Sequence, residues 1–222
     1  MKNNILLFLY VLLLSFASCK RVEDPEPNGP SYAPLEIEKY IIYDVTNLSH
    51  DAFKERTDTT YFQIRETIES DFLDNAGNTV YKTLVETSED SGSNWIFLRY
   101  ATFERDGYSY QRVEDDIRKV KLGFPLKERK SWDANQMNTS PSQKAKITNL
   151  DKSYTISTDL VFSNTLIIDL GNEVDPFFQN VESEVYAAGI GLIERRLIDV
   201  ETQPGKYKDG NEYIQTYQQS NW

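Results

Sequence analysis

Trp95-Ile96-Phe97-Leu98-Arg99-Tyr100-Ala101-Thr102-Phe103-Glu104-Arg105-Asp106-Gly107-Tyr108-Ser109-Tyr110-Gln111-Arg112-Val113 decides how this chain is read. Two runs rich in aromatic and β-branched residues flank Arg105-Asp106-Gly107-Tyr108. Asp-Gly readily supplies positive φ, so the stretch predicts an antiparallel hairpin. In the first run Ile96, Leu98 and Tyr100 oppose Trp95, Phe97 and Phe103. The second, from Tyr108 to Val113, passes through Glu114-Asp115-Asp116 into a further strand over Ile117–Leu122.

The same pattern extends in both directions. Residues 36–45 supply Ile37, Ile41, Ile42, Tyr43 and Val45. Residues 60–70 place Phe62, Ile64 and Ile68 on one face and Gln63, Arg65 and Thr67 on the other. Asp74-Asn75-Ala76-Gly77-Asn78 turns the chain into 79–87, with Tyr81, Thr83 and Val85 in step. Later strands are expected at 143–150, 159–170, 190–200 and 212–218, with Asp209-Gly210-Asn211 as the turn before the last. Residues 176–189 leave two readings open. One is a short helix capped by Asp175-Pro176, with Phe177, Val181 and Val185 at spacing four and Gly189 ending it. The other is a strand in which Val181 and Val185 alternate with Glu182, Glu184 and Tyr186. The expected class is mainly β: an antiparallel meander forming a curved sheet, barrel or sandwich, with at most one or two short helices. Tyr 14, Phe 11 and Trp 3 supply much of the core material.

The N-terminal segment is different in kind. Lys2 precedes an unbroken apolar run from Ile5 to Leu14, followed by Ser15-Phe16-Ala17-Ser18-Cys19. A bilayer-crossing helix needs about 20 apolar residues, and this run stops at half of that. It resembles a bacterial lipoprotein signal peptide, in which the cysteine is lipidated and becomes the mature N-terminus. The expected organisation is a signal peptide over 1–18, lipidated Cys19 with a Pro-rich tether over 19–34, and one β-rich domain over 35–222. Pro25, Pro27, Pro30 and Pro34 keep the tether extended, and in polyproline geometry it spans on the order of 40 Å. Lys20, where Asp would signal inner-membrane retention, points to the outer membrane, with the periplasmic face and the cell surface both open.

Formal charge is −11, and removal of residues 1–18 takes one Lys and no acid, leaving −12. Such a surface is a poor partner for nucleic acid. Cys19 is the sole cysteine, so once acylated it leaves the domain without disulfides, thiolate metal sites or a cysteine nucleophile.

Three stretches carry a resemblance to a family. They are Cys19 with its tether leading into Tyr32-Ala33-Pro34-Leu35-Glu36-Ile37-Glu38-Lys39-Tyr40-Ile41-Ile42-Tyr43; Leu122-Gly123-Phe124-Pro125-Leu126 with Lys130-Ser131-Trp132; and Tyr186-Ala187-Ala188-Gly189-Ile190-Gly191-Leu192-Ile193-Glu194. Together they resemble a Bacteroidota cell-envelope lipoprotein family with no assigned activity, so the resemblance implies an envelope location and transfers no catalytic residue. Members commonly carry Gly where this chain has Glu38 and Arg129. Pro34-Leu35…Lys39 also resembles Pro125-Leu126…Lys130, a spacing that would divide the domain near its middle.

Reactive constellations are thin. Ser49-His50-Asp51 contains triad residue types, but sequence neighbours cannot converge as a triad requires. His50, the single histidine, is expected in a polar loop between the first two strands. Neither Asp74–Asn78 nor Glu114-Asp115-Asp116 completes an oxygen-rich metal loop, and both read as turns; no metal site and no cofactor is expected. A carboxylate-dependent glycoside hydrolase needs only two acids at the right separation, which 35 acids do not nominate. Trp95, Tyr100, Tyr108 and Tyr110 are the candidate ligand-binding residues, since exposed rings at strand ends can stack on sugars; core packing is the competing role. The function expected is a lipid-anchored, non-enzymatic binding or interaction domain for a glycan, a protein or an apolar ligand. A structural or assembly subunit of an envelope complex is the alternative, and a hydrolase the third.

Overall fold

Twelve strands, each antiparallel to its neighbour, follow one another in a computed structural model that describes residues 29–202 and 205–222. Residues 1–28, which hold the expected signal segment, Cys19 and most of the expected tether, lie outside those residues. In chain order the strands are β1 (Tyr40–Asp51), β2 (Arg56–Leu73), β3 (Thr79–Ser88), β4 (Ile96–Arg105), β5 (Ser109–Glu114), β6 (Ile117–Gly123), β7 (Ser131–Asp133), β8 (Lys144–Ser157), β9 (Leu160–Val174), β10 (Phe178–Ala187), β11 (Gly191–Glu201) and β12 (Asp209–Ser220). A single 3₁₀ turn, Pro30–Tyr32, precedes them.

Hydrogen bonding orders the sheet β6-β5-β4-β3-β2-β1-β12-β11-β10-β9-β8-β7. The two ends of this row meet. Val120 N–H donates to the Ala134 carbonyl (2.9 Å), and the Trp132 indole donates to the Val120 carbonyl (2.9 Å). The meander therefore curls into a nearly closed barrel.

Of the two readings left open for residues 176–189, the strand holds, as β10, with Val185 and Glu184 on opposite sides of the sheet. Several local expectations are corrected. Asp106-Gly107 does make the hairpin turn, yet Gly107 is not in the positive-φ region; Asp106 Oδ1 instead accepts from the Tyr108 and Ser109 N–H groups (2.7 and 2.6 Å). The true two-residue mirror-image turn is Asp115-Asp116 (φ 50° and 62°), with Glu114 paired to Ile117. Gly210 is no turn residue: it lies in β12 between His50 and Val200, where a Cβ would run into the Asp199 carbonyl. His50 is in β1, not a loop, and buried. Its Nδ1 lies 2.8 Å from Thr57 Oγ1 and its Nε2 2.9 Å from Glu212 Oε1, so neighbouring strands satisfy the imidazole.

One end of the barrel is plugged. Tyr32 and Ala33 are each 1% exposed and join the main core with Leu122, Phe124, Leu126, Ile147, Leu166, Ile168 and Tyr186. Residues 29–34, read from the sequence as the end of the tether, are thus part of the packed body. Arg105 Nη1 donates to the Pro30 and Ala33 carbonyls (3.1 and 2.6 Å), Gly189 N–H to Ser31 O (2.7 Å), and the Tyr32 hydroxyl to Asp151 (2.5 Å).

The two Pro-Leu segments form the same local structure. In each, the Lys N–H bonds back to the residue three earlier (Lys39 to Glu36, Lys130 to Lys127). The preceding residue is left-handed in both, Glu38 at φ 69° and Arg129 at φ 65°. Each then exchanges two backbone bonds with an isoleucine of the following long strand, Ile68 in β2 and Ile147 in β8, and a register irregularity comes directly after that isoleucine. Six strands separate the first segment from the second, and six follow the second.

Candidate functional site

The end opposite the plug is where the inward-facing side chains turn polar. Cross-strand partners share a face. Glu66 pairs with Val85, Val85 with Arg99, Phe103 with Arg112, and Glu184 with both Arg195 and Ile168. All of these therefore point into the barrel. Below them a pocket of about 50 Å³ lies among Tyr43, Phe103, Tyr110 and Tyr186 and extends to Lys39 and Trp222.

Two ion-pair systems cross the lumen. In the first, Arg112 grips Glu66 with both terminal nitrogens (2.9 and 2.7 Å) and donates from Nε to Glu114 (2.6 Å). Arg99 takes the other oxygen of Glu114 at 2.6 Å. In the second, Glu184 pairs closely with Lys121, accepts from the Tyr186 hydroxyl (2.6 Å), and lies 3.7 Å from Arg195 Nε. A third, weaker chain runs from Lys119 through Gln143 (3.2 Å) to Glu182 (2.5 Å).

Electrostatics follow from burial and pairing. Burial alone would push the Glu184 carboxyl up, but Lys121 and Arg195 outweigh it and hold it at about 2. Glu114 is likewise held low, with Arg112 and Arg99 overcoming burial. Burial pushes Lys121 down, Glu184 opposes that, and nearby Arg195 and Arg112 reinforce it. Burial also pushes the Tyr43, Tyr110 and Tyr186 hydroxyls well up, so all three stay neutral donors.

Above this network a recess of about 160 Å³ opens at the mouth, lined by Arg112, Lys119, Lys121 and Arg195 with Glu114, Asp115 and Ile117. Its lining presents four cations and two acids, with Glu66 and Glu184 set against Arg112, Lys121 and Arg195 from within the lumen. Glu114-Asp115-Asp116 thus forms part of the rim as a hairpin tip.

The structure does not bring the four sequence-nominated aromatics together. Tyr110 is in the core, stacked on Phe103 at 5.3 Å. Tyr108 is 83% exposed at the turn on the plugged end. Trp95 and Tyr100 share the outer face of β2–β4 with Phe97, whose ring meets Tyr100 at 5.1 Å. Strict alternation had put Phe97 and Tyr100 on opposite faces; the register irregularity opposite Val85 and Glu86 reverses that. One face of each ring is already taken, Trp95 by Arg65 (4.4 Å) and Tyr100 by Lys82 (3.5 Å). Cys19 lies outside the described residues.

The residues that line the mouth were missed in the sequence because charged strand positions read as solvent-facing. A signal was present: Glu66 is in step with Phe62, Ile64 and Ile68, and Arg112 with Tyr110, so each charge interrupts a stripe otherwise bound for the core. Compared with family models, with curated proteins and with solved structures, the chain matches none.

Proposed function

We propose that this chain is a cell-envelope lipoprotein, anchored to the outer membrane through Cys19, whose barrel is a non-enzymatic binding domain that receives its ligand at the charged mouth. The carrying observation is the polarity of the barrel. The chain enters at the plugged end beside Tyr32, so a tether attached there leaves the mouth pointing away from the membrane. Glu114 and Glu184 are both held low, so neither of these two supplies the protonated carboxyl that glycoside hydrolysis requires. The small free volume among the lumen tyrosines, about 50 Å³, favours a polar ligand at the mouth over an apolar one enclosed by the sheet.

The assembly-subunit reading has one observation in its favour, the edge of β8 beyond Ile147, which pairs with β9 alone. Four register irregularities and Lys152 blunt that edge, so the mouth reading is preferred.

Photo-crosslinking in intact cells tests it, with the reactive side chain at Ile117 on the rim or at Ile37 on the plugged end. Adducts from Ile117 and none from Ile37 are expected. Adducts from Ile37 alone, or turnover of envelope polysaccharides by the purified protein, would overturn the reading. Palmitate labelling that persists in Cys19→Ala would remove the anchor.

A further inference from the structure

We propose that the mouth recess binds an oxyanion, a carboxylate or phosphate group, on the side formed by Arg195, Lys119 and Lys121. The proposal rests on the reading of the mouth as a binding site and names the chemistry it takes.

Size sets the first constraint. A cavity of about 150 Å³ takes a molecule as large as benzene, so a recess of about 160 Å³ has room for one small group or a single sugar ring. It does not enclose a drug-sized ligand, for which pockets run to about 300 Å³ and above.

Charge sets the second. Two of the acids near the recess are already committed: Glu114 spends one oxygen on Arg112 and the other on Arg99, and Glu184 is shared between Lys121 and Tyr186, while Asp115 stands at the rim. Of the cations, Arg112 is bound to Glu66 and Glu114, and Lys121 to Glu184; Arg195 and Lys119 lack a close carboxylate. Arg195 Nε is buried without a hydrogen-bond partner, and its one ion-pair distance, to Glu184, is 3.7 Å. Lys119 has the neutral amide of Gln143 as its hydrogen-bond acceptor. A buried, unpaired donor on a charged group is costly. A guanidinium fork beside two ammonium groups is the donor set that an oxyanion satisfies with charge-assisted bonds.

The test uses the full chain in detergent at low ionic strength, titrated separately with inorganic phosphate, glucuronate and glucose. Glucuronate and glucose differ by a carboxylate, so the pair isolates the anion from the sugar ring. Binding of phosphate or glucuronate, with a shift of the Arg195 Nε–H resonance, and no response to glucose are expected. Phosphate alone would mark a phosphoryl source, and glucuronate alone a carboxylated sugar. Arg195→Gln with Lys119→Gln should weaken binding about tenfold or more, the equivalent of about 1.4 kcal/mol. Lys152→Gln, far from the mouth and paired with Glu128, should not. An unmoved Arg195 resonance in the unaltered protein overturns the proposal even if the double variant fails to fold. So does an equal response to glucose, or full affinity in a folded double variant. Crosslinks from Ile117 without anion binding would keep the mouth as a binding site and remove only its oxyanion chemistry.

Discussion

Glu184 is a buried acid of the lumen set between two cations. It is 1% exposed, and Lys121 and Arg195 hold its carboxyl at about 2 against an ordinary 4.5. A folded value below the unfolded one contributes stability that is present above pH 4.5 and lost as pH falls toward 2. That contribution is on the order of 3 kcal/mol. Urea denaturation across that window should show the midpoint falling steeply in the native protein. Glu184→Gln should lower stability at pH 7 by about 3–5 kcal/mol, because it strands Lys121 and Arg195, and should flatten the acid dependence. Glu38 and Arg129 are the opposite case, exposed side chains on left-handed backbone. The left-handed conformation costs an L-residue about 1–2 kcal/mol, and glycine returns about 0.5–1 kcal/mol of that as chain entropy. Glu38→Gly and Arg129→Gly should each raise the denaturation midpoint, by up to about 1 kcal/mol.

Among the elements, the plug matters most. Tyr32 fills the closed end and anchors it through Asp151. Tyr32→Ala should cost about 3–5 kcal/mol in urea denaturation, as large-to-small aromatic core changes do; a loss below about 1 kcal/mol would mean the segment packs loosely. The plug was not legible in the sequence, because Gly29, Pro30 and Pro34 read as tether and only tertiary contacts show Tyr32 buried. The long strands were legible, since alternation over ten residues leaves few other structures. β7 was not, because three residues carry no period. The lower end of the β8–β9 hairpin was also hidden. It folds over the outer face of β10–β12, where Tyr154 donates to Glu194 (2.7 Å) and Phe162 meets Tyr217 edge-on at 5.4 Å. The apolar cluster of Val185, Ala187 and Ile193 beneath it explains why β10 is apolar on its outward positions and charged on an inward one, an inversion of the simple rule.

At the scale of the whole molecule, the seam between β6 and β7 is the weakest join, resting on the Val120–Ala134 and Trp132–Val120 bonds. Trp132→Phe keeps an aromatic ring against Gly123 and removes one bond, so it should cost about 1 kcal/mol. Hydrogen exchange at the Val120 amide should quicken in that variant while Val45, central in β1, stays protected. The amino-acid sequence by itself determined the antiparallel meander, because strand period and turn residues are local properties. It also exposed the two Pro-Leu segments, which share a local turn. Closure of the row into a barrel, the plug, and the gathering of Arg112, Lys119, Lys121 and Arg195 at one mouth were decided only by tertiary structure. Register irregularities and long-range pairing choose which face of each strand turns inward, and a charge on an inward face looks, along the chain alone, the same as one in solvent.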